Sequence, residues 1–266
     1  MVIRKFVHLV TVGAGIVSNY LREYPEDVDV CSVLRDDRAL IRHATETSHV
    51  FLKVYMFLKS NPRRASPEVN AMWEYIDRGE VNEIYLYHTD TGAGKFCAGL
   101  LKKFFEEEFH IEAHTIRVNG FGLDFEEGLA NLLDKIVDKV VKLRTSPLVE
   151  VYLNATGGFK PENAILVIAA SLLNIKTIYY MHEKFKEPIE LPIFPLTIDS
   201  KYVKELKWIR NQEKEHGFAL REDFVKKFNI KMIEELKAKK LIVEENGRLK
   251  LRKWTKTLIK ILERKV

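Results

Sequence analysis

The residues best suited to chemistry lie where an apolar strand turns into a helix, at 151–163, Val-Tyr-Leu-Asn-Ala-Thr-Gly-Gly-Phe-Lys-Pro-Glu-Asn. Gly157 and Gly158 let backbone N–H groups approach a ligand, and Pro161 is a favoured first residue of a helix. Lys160 then stands beside the positive end of that helix, where phosphate is stabilised. The segment therefore predicts a phosphate-binding turn, although the two glycines equally suit a plain bend.

Two other loops have the same small, polar character and also follow apolar runs. The first contains Gly13, Ala14 and Gly15, and the second contains Thr89, Asp90, Thr91 and Gly92. Because ligands of open parallel sheets bind beyond the carboxyl ends of the strands, we expect the three loops to share one site. Asp90 would repel phosphate unless it met a ribose hydroxyl or an adenine amine, and this loop also suits capping of the next helix.

The elements that position these loops alternate regularly along the first two thirds of the chain. Apolar runs predict strands at 6–12, 83–88, 111–118, 151–154 and 177–181, and helical spacing separates them, as at 35–60. Strand–loop–helix units in series predict an α/β fold with a Rossmann-like parallel sheet. The proline-interrupted stretch 188–193 indicates an edge strand or a connector.

A different pattern begins beyond Pro195. Two short helices are predicted at 218–224 and 231–236, followed by a hairpin with an Asn-Gly turn and a terminal helix. The pattern predicts a small C-terminal winged helix-turn-helix domain at 199–266, after a larger domain at 1–198. The smaller domain has 20 Lys and Arg against 11 Asp and Glu, and the larger has 23 against 27. DNA or RNA is thus a candidate partner, with a packing or dimerisation role as the alternative.

Composition excludes several other classes. The 266 residues are 46% hydrophobic and contain no uncharged apolar run of about 18 residues, so we expect a cytoplasmic protein without a membrane span. Cys31 and Cys97 lack metal-type spacing, so we expect structural thiols and no metal. The glycine loops lack the third glycine of a dinucleotide fingerprint and a Walker lysine, so neither NAD nor ATP is expected and no cofactor is predicted.

Several segments together resemble the CRISPR-associated Rossmann-fold (CARF) proteins over about residues 3–198. These segments are Thr11-Val12-Gly13, Ala65-Ser66-Pro67-Glu68-Val69-Asn70, Thr89-Asp90-Thr91, Asn154-Ala155-Thr156-Gly157-Gly158-Phe159-Lys160, His182-Glu183-Lys184-Phe185 and Leu191-Pro192. The resemblance is closest to an archaeal group that joins this domain to a winged helix and includes ring nucleases. It implies a homodimer that binds one cyclic oligoadenylate, usually cyclic tetra-adenylate, in a cleft across the two-fold axis.

The resemblance also implies a reaction, because some members cut their ligand without metal. The products are linear di-adenylates with 2′,3′-cyclic phosphate ends, and their formation switches off type III CRISPR antiviral signalling. Lys160 is the candidate catalytic residue, although a lysine that only binds phosphate is the alternative. The implied ligand-binding residues are Gly13, Ala14, Gly15, Thr89, Asp90, Thr91, Asn154, Thr156, Gly157, Gly158, Phe159, His182 and Glu183.

Two alternatives remain open at this point. Members that cleave often have hydroxyl residues after the first-loop glycine, whereas this chain has Ala14 and Gly15, so a sensor that regulates transcription through its winged helix is the runner-up. Thr11 or Ser18 would have to supply the hydroxyl, and Ser18 is expected to face the helix surface. A ligand-activated ribonuclease of the HEPN type is the third hypothesis. It would use Arg210 and His216, which also suit an ordinary helix end.

Overall fold

The computed structural model describes residues 4–182 and 187–264. Its contacts divide the chain into two compact units, Met1–Pro195 and Leu196–Val266. The division lies three residues before the domain boundary predicted at residue 198. Each unit has its own hydrophobic core.

The first unit is built on a six-stranded sheet with the order β3-β2-β1-β4-β5-β6. Its strands are β1 (Lys5–Val12), β2 (Glu83–His88), β3 (Glu112–Arg117), β4 (Val149–Asn154), β5 (Thr177–Met181) and β6 (Pro188–Leu191). The first five are parallel, and β6 pairs antiparallel with β5 at the edge. The predicted α/β fold with a mostly parallel sheet is confirmed, and of the two alternatives for 188–193 the structure has the edge strand, over Pro188–Leu191.

Helices cover both faces of this sheet. They are α1 (Gly15–Glu23), α2 (Val28–Leu34), α3 (Asp37–His43), α4 (His49–Ser60), α5 (Pro62–Ala65), α6 (Pro67–Asp77), α7 (Gly92–Phe109), α8 (Phe125–Leu143) and α9 (Lys160–Leu172). Buried residues of α1, α4, α6 and α7 share one core with Val10 and Val12 of β1. Helices α8 and α9 lie on the other face, where Lys139 of α8 covers the Tyr85 ring at 3.7 Å.

The helical spacing predicted over 35–60 is divided between two helices. Helix α3 ends at His43, and α4 begins after Ser48, whose hydroxyl accepts the N–H of Phe51 at 3.4 Å. Residues 44–48 lie outside both helices, and the N-cap serine marks where α4 begins, because its own backbone is extended. The continuous pattern of apolar residues therefore hid this break.

His8 is completely buried at the centre of the first unit. Its Nε2 donates to the Glu80 carbonyl oxygen at 2.8 Å, and its Nδ1 accepts from the Tyr179 hydroxyl at 2.7 Å. The ring also stacks on Tyr152 with 4.7 Å between centroids. Burial lowers the pKa of His8 to about 4, so the fold holds this imidazole in its neutral form.

Acidification should therefore destabilise the protein through His8. The pKa of histidine in the unfolded chain is near 6.5, so the unfolded state binds the proton first and the stabilisation is lost as pH falls from about 6.5 through about 4. We expect a loss of about 3 kcal/mol between pH 7 and pH 4 from this residue. Urea unfolding of the wild type and of His8→Phe across that range measures it. Equal pH dependence in the two proteins would show that His8 does not titrate as described.

In its described residues, up to 264, the second unit combines four helices with a small antiparallel sheet. Its elements are α10 (Ser200–His216), β7 (Ala219–Leu220), α11 (Arg221–Lys227), α12 (Ile230–Ala238), β8 (Ile242–Glu245), β9 (Arg248–Leu251) and α13 (Lys253–Arg264), with the strand order β7-β9-β8. The expected hairpin is present, and its turn residues Asn246 and Gly247 both have positive φ. The helix predicted at 218–224 begins instead at Arg221, because Ala219 and Leu220 pair with β9.

Cys31 and Cys97 are both buried free thiols. Burial raises the pKa of Cys97 to about 12, which makes it a poor nucleophile. Among the residues that the structure describes, no helix has the length and apolar character needed to cross a membrane.

Candidate functional site

A large cleft in the first unit lies at the carboxyl ends of β4 and β5, next to the helix that follows β1. Strand β1 lies between β2 and β4, which is the point where the strand order reverses and where α/β sheets bind ligands. The cleft has a volume of about 1400 Å³. Its lining comes from α1, α4, α5, α6, α9 and the ends of β4, β5 and β6: Asn19, Arg22, Glu23, Phe57, Arg63, Arg64, Pro67, Asn70, Ala155, Thr156, Gly158, Lys160, Asn163, Ala164, Val167, Tyr180, Met181, His182 and Leu191.

The turn after β4 forms one part of this lining and is held by its own side chains. Asn154 is completely buried and donates to the Glu68 carbonyl oxygen at 3.0 Å. The Thr156 hydroxyl donates to Asn154 Oδ1 at 2.5 Å and accepts from the N–H of Met181 at 3.0 Å. The hydrogen bonds of these two side chains thus join β4 to α6 and β5. Only Thr156 of the two lines the cleft.

The two glycines of the turn have different roles. The N–H of Gly157 donates to the Thr11 carbonyl oxygen at 3.1 Å, and a Cβ at Gly157 would lie 2.3 Å from that oxygen. Gly158 has φ of +89° and lines the cleft, and its backbone N–H has no partner in the described part of the chain. The role of backbone donor that the sequence suggested for both glycines is therefore left to Gly158.

Lys160 is the first residue of α9 and lines the cleft next to this turn. Asn163, one helical turn further on, donates from its amide to the carbonyl oxygens of Ala155 at 3.1 Å and Gly157 at 2.8 Å. These two bonds fix the turn to the helix that carries Lys160. A helix N-terminus bearing a lysine concentrates positive potential, so this corner of the cleft suits an anion.

The first loop packs against the turn after β4 and does not line the cleft. Gly13 is so close to Gly158 that a Cβ on Gly13 would lie 3.0 Å from the Gly158 nitrogen. Ala14 is the exposed N-cap of α1, and Gly15 packs against Pro67. Beneath them lies Glu68, 2% exposed, whose pKa is raised by burial and which accepts from Ser66 at 2.8 Å.

The second loop also lies outside the cleft, and its side chains make hydrogen bonds within the loop and to the end of β3 and the segment that follows it. Thr91 caps α7 by accepting the Gly94 N–H at 3.0 Å, and its hydroxyl lies 2.8 Å from that of Thr89. Asp90 accepts from Arg117 at 2.5 Å and from the Gly120 N–H at 2.9 Å. The bond from Arg117 lowers the pKa of Asp90, so this carboxylate is ionised and paired. The capping role that the sequence left open is observed for Thr91.

The end of β5 brings rings into the cleft. Tyr180 and His182 both line it, with 6.0 Å between their ring centroids. Phe159, by contrast, is 52% exposed and lies outside the lining, near the position that a Cβ on Gly122 would occupy. Glu183 was also expected in the site, and together with Lys184 and Phe185 it lies outside the described residues.

Sequence reasoning missed the main source of positive charge in the cleft. Arg22 of α1 and Arg63 and Arg64 of α5 line it, beside Lys160, and Glu23 is the one acidic residue among the lining side chains described. The signal was present in the sequence as the adjacent pair Arg63-Arg64 directly after Asn61-Pro62. In the sequence, two arginines without glycines or a strand end nearby resemble ordinary surface residues. Only the fold places α5, and with it these arginines, beside the cleft.

Away from the cleft, at the other ends of the strands, lies a group of side chains of the types that can bind a metal ion. Glu83, Glu112 and His114 bring one ligand atom each to within 4.8 Å of one another, at the amino ends of β2 and β3. Lys5 Nζ lies 2.8 Å from Glu83, and the Tyr85 hydroxyl donates to the same carboxylate. The Glu83 carboxylate is therefore neutralised by a protein cation, as in an ordinary ion-pair cluster.

The fold and the cleft define an α/β protein with a Rossmann-like sheet and a basic cleft beside the point where the strand order reverses. Residues 63–194 match the sequence model of a family of CRISPR-associated proteins, Cas_APE2256. The match begins at the arginines of α5 and extends past β6, so it covers most of the cleft and just under half of the chain. It supports an association of this protein with CRISPR systems.

Proposed function

We propose that this protein binds cyclic tetra-adenylate and cleaves it without a metal ion to linear di-adenylates with 2′,3′-cyclic phosphate ends. Cleavage would remove the second messenger and switch off type III CRISPR signalling. The observation that carries the proposal is the position of Lys160 at the N-terminus of α9, inside a large cleft of positive charge. On this proposal the first unit is a CARF domain, and the second is a winged helix-turn-helix domain.

Charge and size both support an oligonucleotide ligand. The described lining has four basic side chains and one acidic one, although residues 1–198 as a whole carry more acidic than basic residues. Positive charge on an otherwise acidic unit is therefore concentrated at the cleft, which attracts a polyanion. A volume of about 1400 Å³ exceeds the range of about 300–1000 Å³ usual for small-molecule pockets.

The reaction needs little from the protein beyond orientation and charge. A ribose 2′-oxygen of the ligand attacks the adjacent phosphorus, a 2′-O–P bond forms, and the bond from phosphorus to the 5′-oxygen breaks. The 2′-hydroxyl loses its proton to water, and the departing 5′-oxygen gains one from water. Lys160 and the Gly158 N–H stabilise the negative charge that builds up on the phosphorane oxygens.

Aromatic side chains give the cleft a means to hold adenine. Tyr180, His182 and Phe57 line it, and every base has a π face that stacks on such rings. Stacking orients the bases, while the cations hold the phosphates between them. A cyclic oligoadenylate has both groups, so its binding requires both kinds of side chain.

We also propose that two copies share one ring, with Phe159, Ile165 and Ile168 at their contact. All three side chains are exposed, by 52%, 38% and 48%, although they are apolar. Ile165 and Ile168 lie three positions apart on α9, and therefore on one helical face beside the cleft. Exposed apolar side chains next to a ligand cleft support a subunit contact there.

Incubating the purified protein with labelled cyclic tetra-adenylate in EDTA tests the proposal. We expect tight binding and conversion to di-adenylate with a cyclic phosphate end. Binding without any product would reject cleavage and leave a sensor. Failure to bind at all would reject the proposal as a whole.

A sensor that regulates transcription is the second candidate, favoured by the charge of the second unit. Residues 199–266 carry a net charge of about +9. Helices α11 and α12 precede a hairpin, and α12 carries exposed Lys231. A gel-shift assay on promoter DNA with and without cyclic tetra-adenylate tests it, because a regulator would bind with an affinity that changes with ligand.

The HEPN ribonuclease hypothesis has no comparable support. Arg210 and His216 both lie on α10, and the Arg210 guanidinium makes two hydrogen bonds to Glu263, at 2.6 and 2.7 Å. That pairing raises the pKa of Arg210 and anchors it to α13. An arginine held in this way serves the packing of α10 on α13, and we do not propose ribonuclease activity.

A further inference from the structure

We propose that Arg63 and Arg64 hold a ligand phosphate that is not the one being cut, on the other side of the sheet from Lys160. This inference rests on the proposed function and assigns a second anion subsite within the same cleft. Helix α5 packs with α1 on one face of the sheet, whereas α9 packs on the other, and the cleft spans the strand ends between them. A ligand that fills the cleft therefore meets cations at two separate places.

The segment that carries the two arginines is fixed in position. Pro62 begins α5, and Ala65 is completely buried. The Asn19 amide on α1 donates to the carbonyl oxygens of Arg64 at 3.2 Å and Ala65 at 2.9 Å. The backbone of α5 is thus bonded to α1, so a ligand that binds here has to order the two arginine side chains but not the backbone that carries them.

The guanidinium groups are also partly oriented before a ligand arrives. Arg63 Nε donates to Asn70 Oδ1 at 2.9 Å, which spends one of its five N–H donors. Arg64 pairs with Glu23 at 2.5 Å, and its side chain is 68% exposed. Each arginine keeps donors for a phosphate, which guanidinium groups bind with two parallel hydrogen bonds.

Glu23 gives the subsite a built-in competitor. Its carboxylate is the acidic group in the described lining, and it occupies Arg64 in the structure. A phosphate that binds Arg64 must share or displace this carboxylate. Removal of the Glu23 charge should therefore strengthen ligand binding, whereas removal of either arginine should weaken it.

The test measures equilibrium binding of cyclic tetra-adenylate to the full-length protein over a series of salt concentrations. Arg63→Gln and Arg64→Gln should each raise Kd about tenfold and reduce the slope of log K against log salt by about 0.7, because one phosphate contact is lost. Arg63→Lys should keep most of the slope, since it keeps the charge. Glu23→Gln should lower Kd. Arg38→Gln is the control, because Arg38 is exposed on α3 and lies outside the lining.

The outcomes separate this inference from the proposed function. If the wild type binds the ring but both glutamine variants retain its Kd and salt slope, the arginine subsite is wrong and the proposed function stands. A rise in Kd on Glu23→Gln would equally contradict it. If the wild type binds no ring at any salt concentration, the proposed function fails and the subsite for this ligand fails with it.

Discussion

Replacement of Lys160 by alanine is expected to slow single-turnover cleavage of cyclic tetra-adenylate by about 100- to 1000-fold. Loss of one preorganised donor to a developing oxyanion typically costs that much. The lysine is the first residue of α9, so its ammonium acts together with the helix dipole on the same phosphate. Rapid mixing of saturating protein with labelled ring, followed by chromatography of the products, measures the rate.

Two further variants show what the lysine contributes. Lys160→Arg keeps the charge but changes its geometry, so part of the rate should return. Lys176→Ala is the matched control, because Lys176 is an exposed lysine at the amino end of β5, away from the carboxyl ends where the cleft lies, and it is not among the lining residues. Lys160→Ala that cleaves as fast as Lys176→Ala would show that Lys160 only binds, or does not take part.

Replacement of Gly157 by alanine is expected to destabilise the first unit by about 1–3 kcal/mol, as forced overpacking does. A Cβ there would lie 2.3 Å from the Thr11 carbonyl oxygen, 2.7 Å from the Gly13 nitrogen and 2.7 Å from Glu68 Oε1. Two of these atoms are backbone and the third belongs to a buried carboxylate, so none can yield cheaply. The substitution should also break the hydrogen bond from Gly157 to Thr11.

The free energy of unfolding in urea measures this effect. Gly99→Ala is the control, since its Cβ would meet only the Phe51 ring at 3.3 Å, within α7, where alanine favours the helix. We expect that variant to be close to wild type in stability. Equal stability of the two variants would mean that the turn after β4 has more room than the structure gives it.

The Gly157 contacts also link stability to the site. This residue lies where the loops after β1 and β4 touch, and the same turn leads into Lys160. A shift of the turn would move the start of α9, so ligand binding should weaken in Gly157→Ala. The packing of three small residues, Gly13, Gly157 and Gly158, is thus what brings the helix N-terminus to the cleft.

The sequence predicted the framework of the first unit well, because its signals are local. Apolar runs bounded by small residues identified five parallel strands, and the Asn-Gly pair identified the hairpin of the second unit. The break between α3 and α4 was missed, since a single serine cap does not interrupt the spacing of apolar residues. Likewise, Ala219 and Leu220 became a short strand because a distant partner, β9, bonds to them.

The composition of the site was harder to predict, because it depends on contacts between distant residues. We expected all three strand-end loops to line one site, yet the loop that contains Asp90 lies outside the cleft. The Asp90 side chain is paired there with Arg117 on the neighbouring strand. Arg63 and Arg64 lie nearly 100 residues before Lys160 and enter the same cleft. No spacing rule connects such residues, so only the packing of α5 on α1 shows that they belong together.

The most direct test of the account compares cyclic tetra-adenylate with the same ring methylated at every 2′-oxygen, both incubated with wild-type protein in EDTA. In the proposed reaction the ligand supplies its own nucleophile, and no metal is needed. Mass spectrometry should then show di-adenylate with a 2′,3′-cyclic phosphate from the first ring, and an intact, bound second ring. Cleavage of the methylated ring, or no cleavage of the unmodified ring without added metal, would contradict it.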